Sequence, residues 1–519
     1  MAKTYVIAPR RTGADRGAAT ERLETTLAAA ASRLGPAAPP MPGARAATTT
    51  LVEMEEEDAA EMRRELGGSA LVEELIEYRL LSDPGFDPMP AYDLMKVTSL
   101  DLMPMVRQEP LHRDRGARDG TGFRITVLGR TRSLVPLEGA EVHVFVAGPG
   151  RVRERILART DPDGVATVDL DPYLDVLSVI AVPYSGFWPT VARGSTPSRS
   201  LRIVCEGLPR AARDAWWHEA VGGDGTVSAG HDLRVGVIDS GCGPNPALDH
   251  VISGGAFVHG QSFPDGGADS GAHGTHVCGT IGARIEGTDV PFAGLAPGVR
   301  LHSARVFPQD GFANQGDIAD AIDHMVEEFG VDLINMSLGA PVASAVLGDA
   351  IDAAFARGVI CICAAGNDAG PVSHPAAHPR TVAVGAFGRL GFVPAQSLPA
   401  LPQDPRLFTH DRYHAADFSN FGPELDLVAP GVGIIAPVPA RFAVAAPFSA
   451  MNGTSMAAPI ACAALAIMLS RDGRYRALPR DRSRSRHARM VLQAMCEGLG
   501  LPDAHQGAGR PVLKEWTGT

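Results

Sequence analysis

The chain has 519 residues, which is enough for two to four domains of about 100–200 residues each. Hydrophobic residues make up 45% and charged residues 20%, and these shares exclude a disordered polyelectrolyte and a fibrous chain. The formal net charge is −12, and Lys and Arg cluster only at residues 480–486, a stretch that we interpret as a solvated linker. No nucleic-acid partner is therefore expected.

The longest apolar run, residues 456–469, is shorter than the roughly 20 residues that span a bilayer, so it predicts a buried helix and no membrane partner. The N-terminal residues MAKTYVIAPRR lack the apolar stretch and the cleavage site of a secretory signal. The expected localisation is cytoplasmic, with non-classical release as the alternative. The seven cysteines are odd in number and sparse, which favours reduced thiols over a disulfide framework.

The first 82 residues alternate between strand and helix patterns and predict a small α+β module. The predicted order is strand, helix, strand, helix, strand, over residues 3–8, 21–34, 48–54, 59–66 and 71–80. Residues 83–119 are rich in Pro, Asp and Arg without periodicity, and we interpret them as a linker.

Residues 120–205 carry short alternating strands. Alternation at residues 140–146 and the turn sequence Asp161-Pro162-Asp163-Gly164 are typical of a small all-β unit. These signals predict a β-sandwich.

Residues 214–519 alternate between β-rich and helical patterns, which predicts an α/β fold with a parallel sheet flanked by helices. The predicted strands cover residues 234–238, 300–306, 332–336, 359–364 and 381–384, and the clearest predicted helices cover 316–329 and 343–357.

Active sites of such folds lie at the carboxyl ends of the parallel strands, and three polar residues stand at predicted junctions. Asp239 follows a predicted strand, His273 lies in a glycine-rich segment, and Ser455 begins the long apolar helix. Each has a plain structural alternative, since Asp caps turns and Ser caps helices. His273 and His276 could also share a helix face and bind a metal, but no HExxH pattern supplies the remaining groups.

Three segments taken together carry a resemblance to a known family. VGVIDSG, HGTHVCGTIG and NGTSMAAP, in this order, resemble the Asp, His and Ser boxes of the subtilisin-like serine proteases, or subtilases. The spacings of 34 and 182 positions between Asp239, His273 and Ser455 are ordinary for that family. The resemblance covers roughly 300 residues, from 214 to the C-terminus, and implies a subtilisin-like parallel sheet preceded by the α+β module and the β-sandwich.

The resemblance also implies roles for individual residues. Ser455 would be the nucleophile, His273 the general base and acid, and Asp239 the group that orients the imidazole. The segment CAAGND resembles the box that supplies the oxyanion asparagine, which here is Asn367. The Ser455 backbone N–H would be the second oxyanion donor.

The expected substrate is a protein or peptide that binds in extended form. By the resemblance, Ser337, Leu338 and Gly339 would pair with its backbone, and Ala364, Ala365 and Gly366 would line the pocket for the side chain before the scissile bond. No metal site and no required cofactor are expected. Calcium is left open, because residues 284–292 do not clearly reproduce the family's calcium loop.

Residues 1–82 resemble the propeptide of subtilases, so intramolecular inhibition by this module is an expectation. The predicted sandwich resembles carboxypeptidase regulatory-like or Ig-like modules and separates the two parts. If the chain cuts itself, we expect the cut in an exposed stretch at residues 209–230. Two functional hypotheses follow: a serine endopeptidase regulated by its N-terminal modules, and a non-catalytic binding or scaffold protein that retains the subtilase fold.

Overall fold

The structure is a computed structural model of the whole chain. It describes residues 2–12, 16–30, 45–46, 48–81, 122–147, 154–170, 174–193, 200–211, 215–223, 225–309, 311–398, 405–442 and 445–514. The predicted linker at 83–119 and residues 31–34 of the first predicted helix lie outside these ranges.

The N-terminal module has the predicted order of strands and helices. Its elements are β1 (Lys3–Pro9), α1 (Arg16–Ala30), β2 (Arg45–Ala46), β3 (Thr50–Met54), α2 (Glu56–Leu66), β4 (Ala70–Glu74) and β5 (Glu77–Leu80). β3, β1 and β4 form an antiparallel sheet that encloses a small apolar core with the two helices. The single strand predicted at 71–80 is in fact two strands, because the chain leaves the module's sheet after β4 and β5 pairs elsewhere.

Eight strands form a sandwich of two four-stranded sheets. They are β6 (Gly122–Arg130), β7 (Leu134–Pro136), β8 (Glu141–Ala147), β9 (Glu154–Arg159), β10 (Val165–Asp169), β11 (Asp175–Val182), β12 (Thr190–Arg193) and β13 (Ser200–Glu206). One sheet has the order β10-β6-β13 with β7 on β6, and the other has the order β12-β11-β8-β9. Apolar side chains from both inner faces form the core between them, as the alternating pattern predicts.

The remaining elements form the α/β part of the chain. Its strands are β14 (Arg234–Asp239), β15 (Ile252–Val258), β16 (Gln261–Phe263), β17 (Arg300–Arg305), β18 (Ala313–Asn314), β19 (Leu333–Met336), β20 (Leu338–Gly339), β21 (Ile360–Ala364), β22 (Thr381–Arg389), β23 (Tyr413–Ala415), β24 (Leu427–Pro430), β25 (Ile434–Pro437), β26 (Phe448–Met451), β27 (Cys496–Glu497) and β28 (Arg510–Pro511). Its helices are α3 (Trp216–Val221), α4 (His273–Gly282), α5 (Gln315–Glu327), α6 (Ala345–Ala356), α7 (Thr454–Arg471), α8 (Gly473–Ala477), α9 (Arg482–Met495) and α10 (Asp503–Gln506).

The central sheet has the order β2-β16-β15-β17-β14-β19-β21-β22-β23, with β24 also paired to β22. The pairs from β15 to β22, and the pair β22–β24, are parallel, so the carboxyl ends of the central strands meet at one edge. This is the predicted α/β fold, and it brings the end of β14 to that edge. Helix α7 packs against β19, β21, β22 and β24.

Side-chain caps explain where helices α5 and α6 begin. The side chain of Asn314 accepts hydrogen bonds from the N–H groups of Gly316 and Asp317 at 2.9 and 3.0 Å, which caps α5. Ser344 accepts from Leu347 N–H at 3.1 Å and caps α6 in the same way. Among the described residues one helix, α7, is long and apolar enough to cross a membrane, and it is 94% buried inside the protein, as expected for a core helix.

Two sequence interpretations are wrong. Residues 480–486 are not a solvated linker, because they lead into α9 and the guanidinium groups of Arg480 and Arg484 lie 3.2 and 2.7 Å from Asp332. The interpretation of residues 209–230 as an exposed stretch is wrong at Trp216 and Trp217 of α3, which are almost fully buried in the main core. The predicted site of self-cleavage is therefore inaccessible at these two residues.

Candidate active site

Asp239 and His273 meet at the carboxyl end of the central strand β14. Asp239 is the last residue of β14 and His273 the first residue of α4. The Asp239 Oδ1 atom lies 2.7 Å from His273 Nδ1, and it also accepts the Ser240 N–H at 2.7 Å. Both side chains are almost fully buried. A buried carboxylate at Nδ1 fixes the orientation and the tautomer of the imidazole.

A second carboxylate, Asp269, fixes the loop and the helix that carry this pair. Its side chain accepts hydrogen bonds from Ser240 Oγ at 2.7 Å and from Thr275 N at 2.8 Å. The Ser240 hydroxyl in turn accepts the Gly274 N–H at 2.8 Å. This bond joins the residue after Asp239 to the residue after His273. Burial raises the pKa of Asp269, and the donors from Thr275 and Ser240 oppose that shift.

His276 does not join His273 in a metal site. Its Nε2 lies 3.0 Å from the Ile434 carbonyl oxygen and 3.3 Å from the Ser449 carbonyl oxygen, on the two strands of the hairpin β25–β26. Burial lowers the pKa of His276 to about 3, so the ring is neutral and donates its proton to these carbonyls. Its task is to attach α4 to the hairpin that precedes Ser455.

Ser455 lies in the first turn of α7, where backbone N–H groups have no partner inside the helix. Gly453 precedes the helix with φ at +148°, a conformation that admits the close packing of this turn. The Ser455 hydroxyl donates to the Ser337 carbonyl at 3.2 Å, and the Ser337 hydroxyl donates to the Ser455 carbonyl at 3.0 Å. These bonds join the start of α7 to the residue between β19 and β20.

The Asn367 amide is oriented by Thr454, the neighbour of Ser455. Its Oδ1 accepts both the Thr454 N–H at 3.0 Å and the Thr454 hydroxyl at 2.9 Å. Asn420 supports the same loop, since its Oδ1 accepts the N–H groups of Asp368 and Gly370 at 2.8 and 3.1 Å. With Oδ1 occupied, the Nδ2 donors of Asn367 are the part of the amide left for another acceptor.

Strand β5 of the N-terminal module occupies the cleft as an extended peptide. It pairs antiparallel with β18 on one side and with β20 on the other, where Leu338 and Gly339 face Leu80 and Arg79. Beyond β5, the Leu81 N–H donates to the Ser337 carbonyl at 3.3 Å. The predicted substrate-binding edge, Ser337, Leu338 and Gly339, is thus already paired with a strand of the same chain.

The carbonyl oxygen of Leu81 lies at the start of α7, where it accepts the Ser455 N–H at 3.3 Å. The Leu81 side chain is buried in the same apolar cluster as Ala364 and Ala365. A Cβ atom on Gly339 would lie 2.9 Å from Leu81 Cδ1, so a larger residue at 339 would obstruct this position. The Leu81 side chain therefore packs against Gly339 of the predicted substrate-binding edge.

No group of three or more His, Cys, Asp or Glu residues that could hold a metal ion occurs in the part of the chain that the structure describes. The dependence on calcium stays a prediction. All seven cysteines are free thiols.

The structure joins Asp239 to His273 and Ser455 to Ser337, and it places the Asn367 amide against Thr454, the neighbour of Ser455. Three supporting groups have no signal in the sequence. Asp269 lies four residues before His273 in a segment of small residues, where no pattern marks it. Asn420 lies in the segment FSNFGPELDLVAPG, where no local pattern distinguishes it. The third group is β5, because a pairing between residues more than 230 positions apart leaves no local signal.

Comparison with known proteins gives a family for this region. The model of the Peptidase S8 subtilase family matches residues 230–509, which is more than half of the chain. Subtilisin DY of Bacillus licheniformis is 32% identical over 247 residues, which are 47% of this chain and 78% of that protein. Subtilisin Savinase of Lederbergia lenta is 32% identical over 240 residues, 46% of this chain and 77% of that protein. An alkaline protease of Alkalihalobacillus alcalophilus is 32% identical over 308 residues, 59% of this chain and 67% of that protein.

Proposed function

Since the chain belongs to the subtilase family of serine peptidases, we propose that it is an endopeptidase whose catalytic triad is Asp239, His273 and Ser455. The observation that carries the proposal is the Leu81 carbonyl, which is held at the Ser455 N–H in a strand bound like a substrate. The pair of Asp239 and His273, 2.7 Å apart, supports the assignment of the base and its orienting carboxylate.

In the proposed reaction Ser455 Oγ attacks the substrate carbonyl carbon while His273 Nε2 accepts the hydroxyl proton. For this the hydroxyl must turn away from the Ser337 carbonyl, its present acceptor. Negative charge develops on the carbonyl oxygen, and the Ser455 N–H and Asn367 Nδ2 donate to it. His273 then gives the proton to the leaving amine, and water releases the acyl group by the reverse sequence.

The proposal is tested with Ser455→Ala in the full-length chain. A fluorophosphonate probe, which labels an activated serine, and a casein-cleavage assay are applied to the same samples. Ser470→Ala is the matched control, because Ser470 lies on the same helix, is buried, and donates to the Ile467 carbonyl of its own helix. Labelling and cleavage that disappear in Ser455→Ala alone support the triad. A wild type that stays unlabelled and inert, even without residues 1–205, supports the scaffold hypothesis.

We further propose that the N-terminal module inhibits the same site. Tyr78 and Leu81 are buried in the main core of the α/β part and not in the core of the module itself. Glu73 strengthens this contact, since its carboxylate accepts the Ser344 hydroxyl at 2.6 Å and the Ala345 N–H at 2.9 Å. A bound β5 excludes substrate from the cleft.

Tyr78→Ser tests the inhibition, because it removes a buried anchor of β5 and leaves the module's own core intact. The full-length variant is expected to react with the fluorophosphonate probe at least 10-fold faster than the wild type. Glu77→Gln, an exposed change on the same strand, is the control and should leave the rate unchanged. Equal rates in all three proteins would contradict an inhibitory role for β5.

A further inference from the structure

The β-sandwich contacts the α/β part through the segment that connects β11 to β12. Ser185 in this segment is 1% exposed, and its Oγ accepts the N–H groups of Ala445 and Ala446 at 3.1 and 3.3 Å. The next residue, Gly186, donates its N–H to the Phe448 carbonyl at 3.0 Å. The sandwich thus binds the backbone of the hairpin β25–β26, whose connecting loop contains Ala445 and Ala446.

The approach of the two parts is close. Gly186 has φ at +74°, and a Cβ atom there would lie 3.1 and 3.3 Å from the Cβ atoms of Ala446 and Ala445. Farther along, Trp188 belongs to the main core of the α/β part, and its ring would lie 3.1 Å from a Cβ atom on Gly433. The contact therefore extends from the loop to the base of the hairpin.

This hairpin leads directly into the serine box. β26 ends at Met451, and Asn452 follows with its Oδ1 accepting the Gly433 N–H at 2.6 Å. Ser455 comes three residues later. On the opposite side, His276 holds both strands of the hairpin through the Ile434 and Ser449 carbonyls. The backbone before Ser455 is therefore held between α4, which begins with His273, and the sandwich.

Hydrogen bonds and ring packing both restrain the loop on the sandwich side. A cavity of about 740 Å³ lies beside Ser185, and Tyr184, Arg210, Glu206 and Ala445 are among its lining residues. The two hydrogen bonds to Ser185 Oγ restrain the loop at this cavity, beside the contact between the rings of Tyr184 and Phe442. Loss of that oxygen would leave the buried N–H of Ala446 without this acceptor.

We infer that the β-sandwich is a permanent part of the catalytic unit and that Ser185 is a positioning residue for the hairpin that places Ser455. The inference rests on the proposed triad. It predicts that a residue of the β-sandwich helps to position Ser455. The rate of the chemical step should therefore depend on that residue.

Ser185→Ala in the full-length chain tests the inference. The assay is peptide hydrolysis, with kcat referred to the concentration of serine that the fluorophosphonate probe labels, so that unfolded molecules do not count. We expect kcat to fall at least 10-fold, KM to stay within 2-fold, and the melting temperature to change little. Ser185→Thr retains the acceptor oxygen and has the cavity for its methyl group, so it should restore most of kcat.

Ser178→Ala is the matched control. Ser178 lies on β11 of the same sandwich, is also 1% exposed, and its hydroxyl has no hydrogen-bond partner among the described residues. The same chemical change there should leave kcat unchanged. Equal kcat in Ser185→Ala and the wild type, or equal losses in both alanine variants, would overturn the inference.

Hydrogen exchange provides a readout that needs no activity. In the Ser455→Ala background, Ser185→Ala should increase amide exchange at residues 434–455 and leave the other strands of the central sheet protected. Unchanged exchange in that segment would also overturn the inference. A failed triad gives a different result, since the wild type would then be inert while the exchange difference persists.

Discussion

Asn367 presents its amide nitrogen in a defined direction because Thr454 occupies the amide oxygen. Asn367→Ala should therefore lower kcat by about 10²–10³-fold with little change in KM, a magnitude that comes from subtilisin itself and not from the geometry of this chain. The measurement is steady-state peptide hydrolysis with active-site titration.

Thr454 provides the control for the Asn367 prediction. Thr454→Ser keeps the hydroxyl that donates to Asn367 Oδ1 and should retain most activity. Thr454→Val removes that hydroxyl, and its kcat should lie between those of the wild type and Asn367→Ala. Full activity in Asn367→Ala would exclude this amide from the oxyanion site.

The candidate triad could be predicted from the sequence because each of its members lies at a boundary that local patterns mark. Asp239 ends an apolar strand and Ser455 begins an apolar helix, so periodicity alone brings attention to them. Asp269 and Asn420 could not be found in this way, since their hydrogen bonds to other segments form only once the chain is folded. The resemblance to the subtilases implied the roles of the triad residues, but it did not indicate Asp269 or Asn420.

At the level of elements, the module is attached to helices α5 and α6 by a buried arginine. The Arg11 side chain is completely buried, with Nε 2.7 Å from Asp323 and Nη2 2.9 Å from Asp320. Its backbone N–H donates to Asp349 at 2.6 Å. Removing one partner of a buried ion pair costs about 3–5 kcal/mol, because the remaining charges stay buried.

Arg11→Gln should consequently loosen the module and increase the rate of fluorophosphonate labelling of the full-length chain by at least 100-fold. Lys3→Gln is the control, since the ion pair of Lys3 with Glu74 is 2.8 Å long but more than half exposed, and solvent and salt screen such a surface pair. Similar rates for Arg11→Gln and Lys3→Gln would show that the buried pair does not retain the module.

Asp317 makes the stability of the same region depend on pH. Burial raises the pKa of its carboxyl from 3.8 to about 7, opposed by the Gly260 N–H and reinforced by the charge of Asp320. In the unfolded chain the carboxyl ionises near its usual value, so the folded state binds the extra proton between about pH 4 and 7. The contribution of Asp317 to stability is therefore present at low pH and is lost as pH rises through about 7.

The prediction is tested by urea unfolding of the Ser455→Ala protein at pH 5 and 7.5, with and without Asp317→Asn. Over this range the protein with Asp317 should lose up to about 1.4 kcal/mol per pH unit relative to Asp317→Asn. Asp352→Asn, a change at a half-exposed ion pair on α6, should leave the pH dependence unaltered. Parallel pH profiles with and without Asp317 would refute the assignment.

At the scale of the whole molecule, the sequence predicts the N-terminal module, the β-sandwich and the α/β part, but it does not predict the contacts between them. The α/β fold and the order of elements in residues 1–82 follow from local periodicity. The insertion of β5 between β18 and β20, and the contact of Ser185 with the loop at Ala445, join residues more than 230 positions apart. Such contacts depend on shape and long-range pairing, and a local pattern contains neither.

The contact between the N-terminal module and the α/β part determines where the chain would cut itself. Leu81 presents its carbonyl to the Ser455 N–H, so the bond after Leu81 is the one in position for attack. Trp216 and Trp217, which lie inside the stretch 209–230 predicted for a cut, are buried. We therefore predict a product that begins at Ser82 and keeps the β-sandwich covalently attached to the α/β part.

Intact mass spectrometry and N-terminal sequencing of the purified wild type check this prediction, and Ser455→Ala should remain full length. Leu81→Asp should slow the cut, since a charge would enter a buried apolar position without a partner. A new N-terminus within residues 209–230 in place of Ser82 would contradict the prediction. It would also break the covalent link between the sandwich and the α/β part, so the activity of that product would test whether the enzyme needs this link.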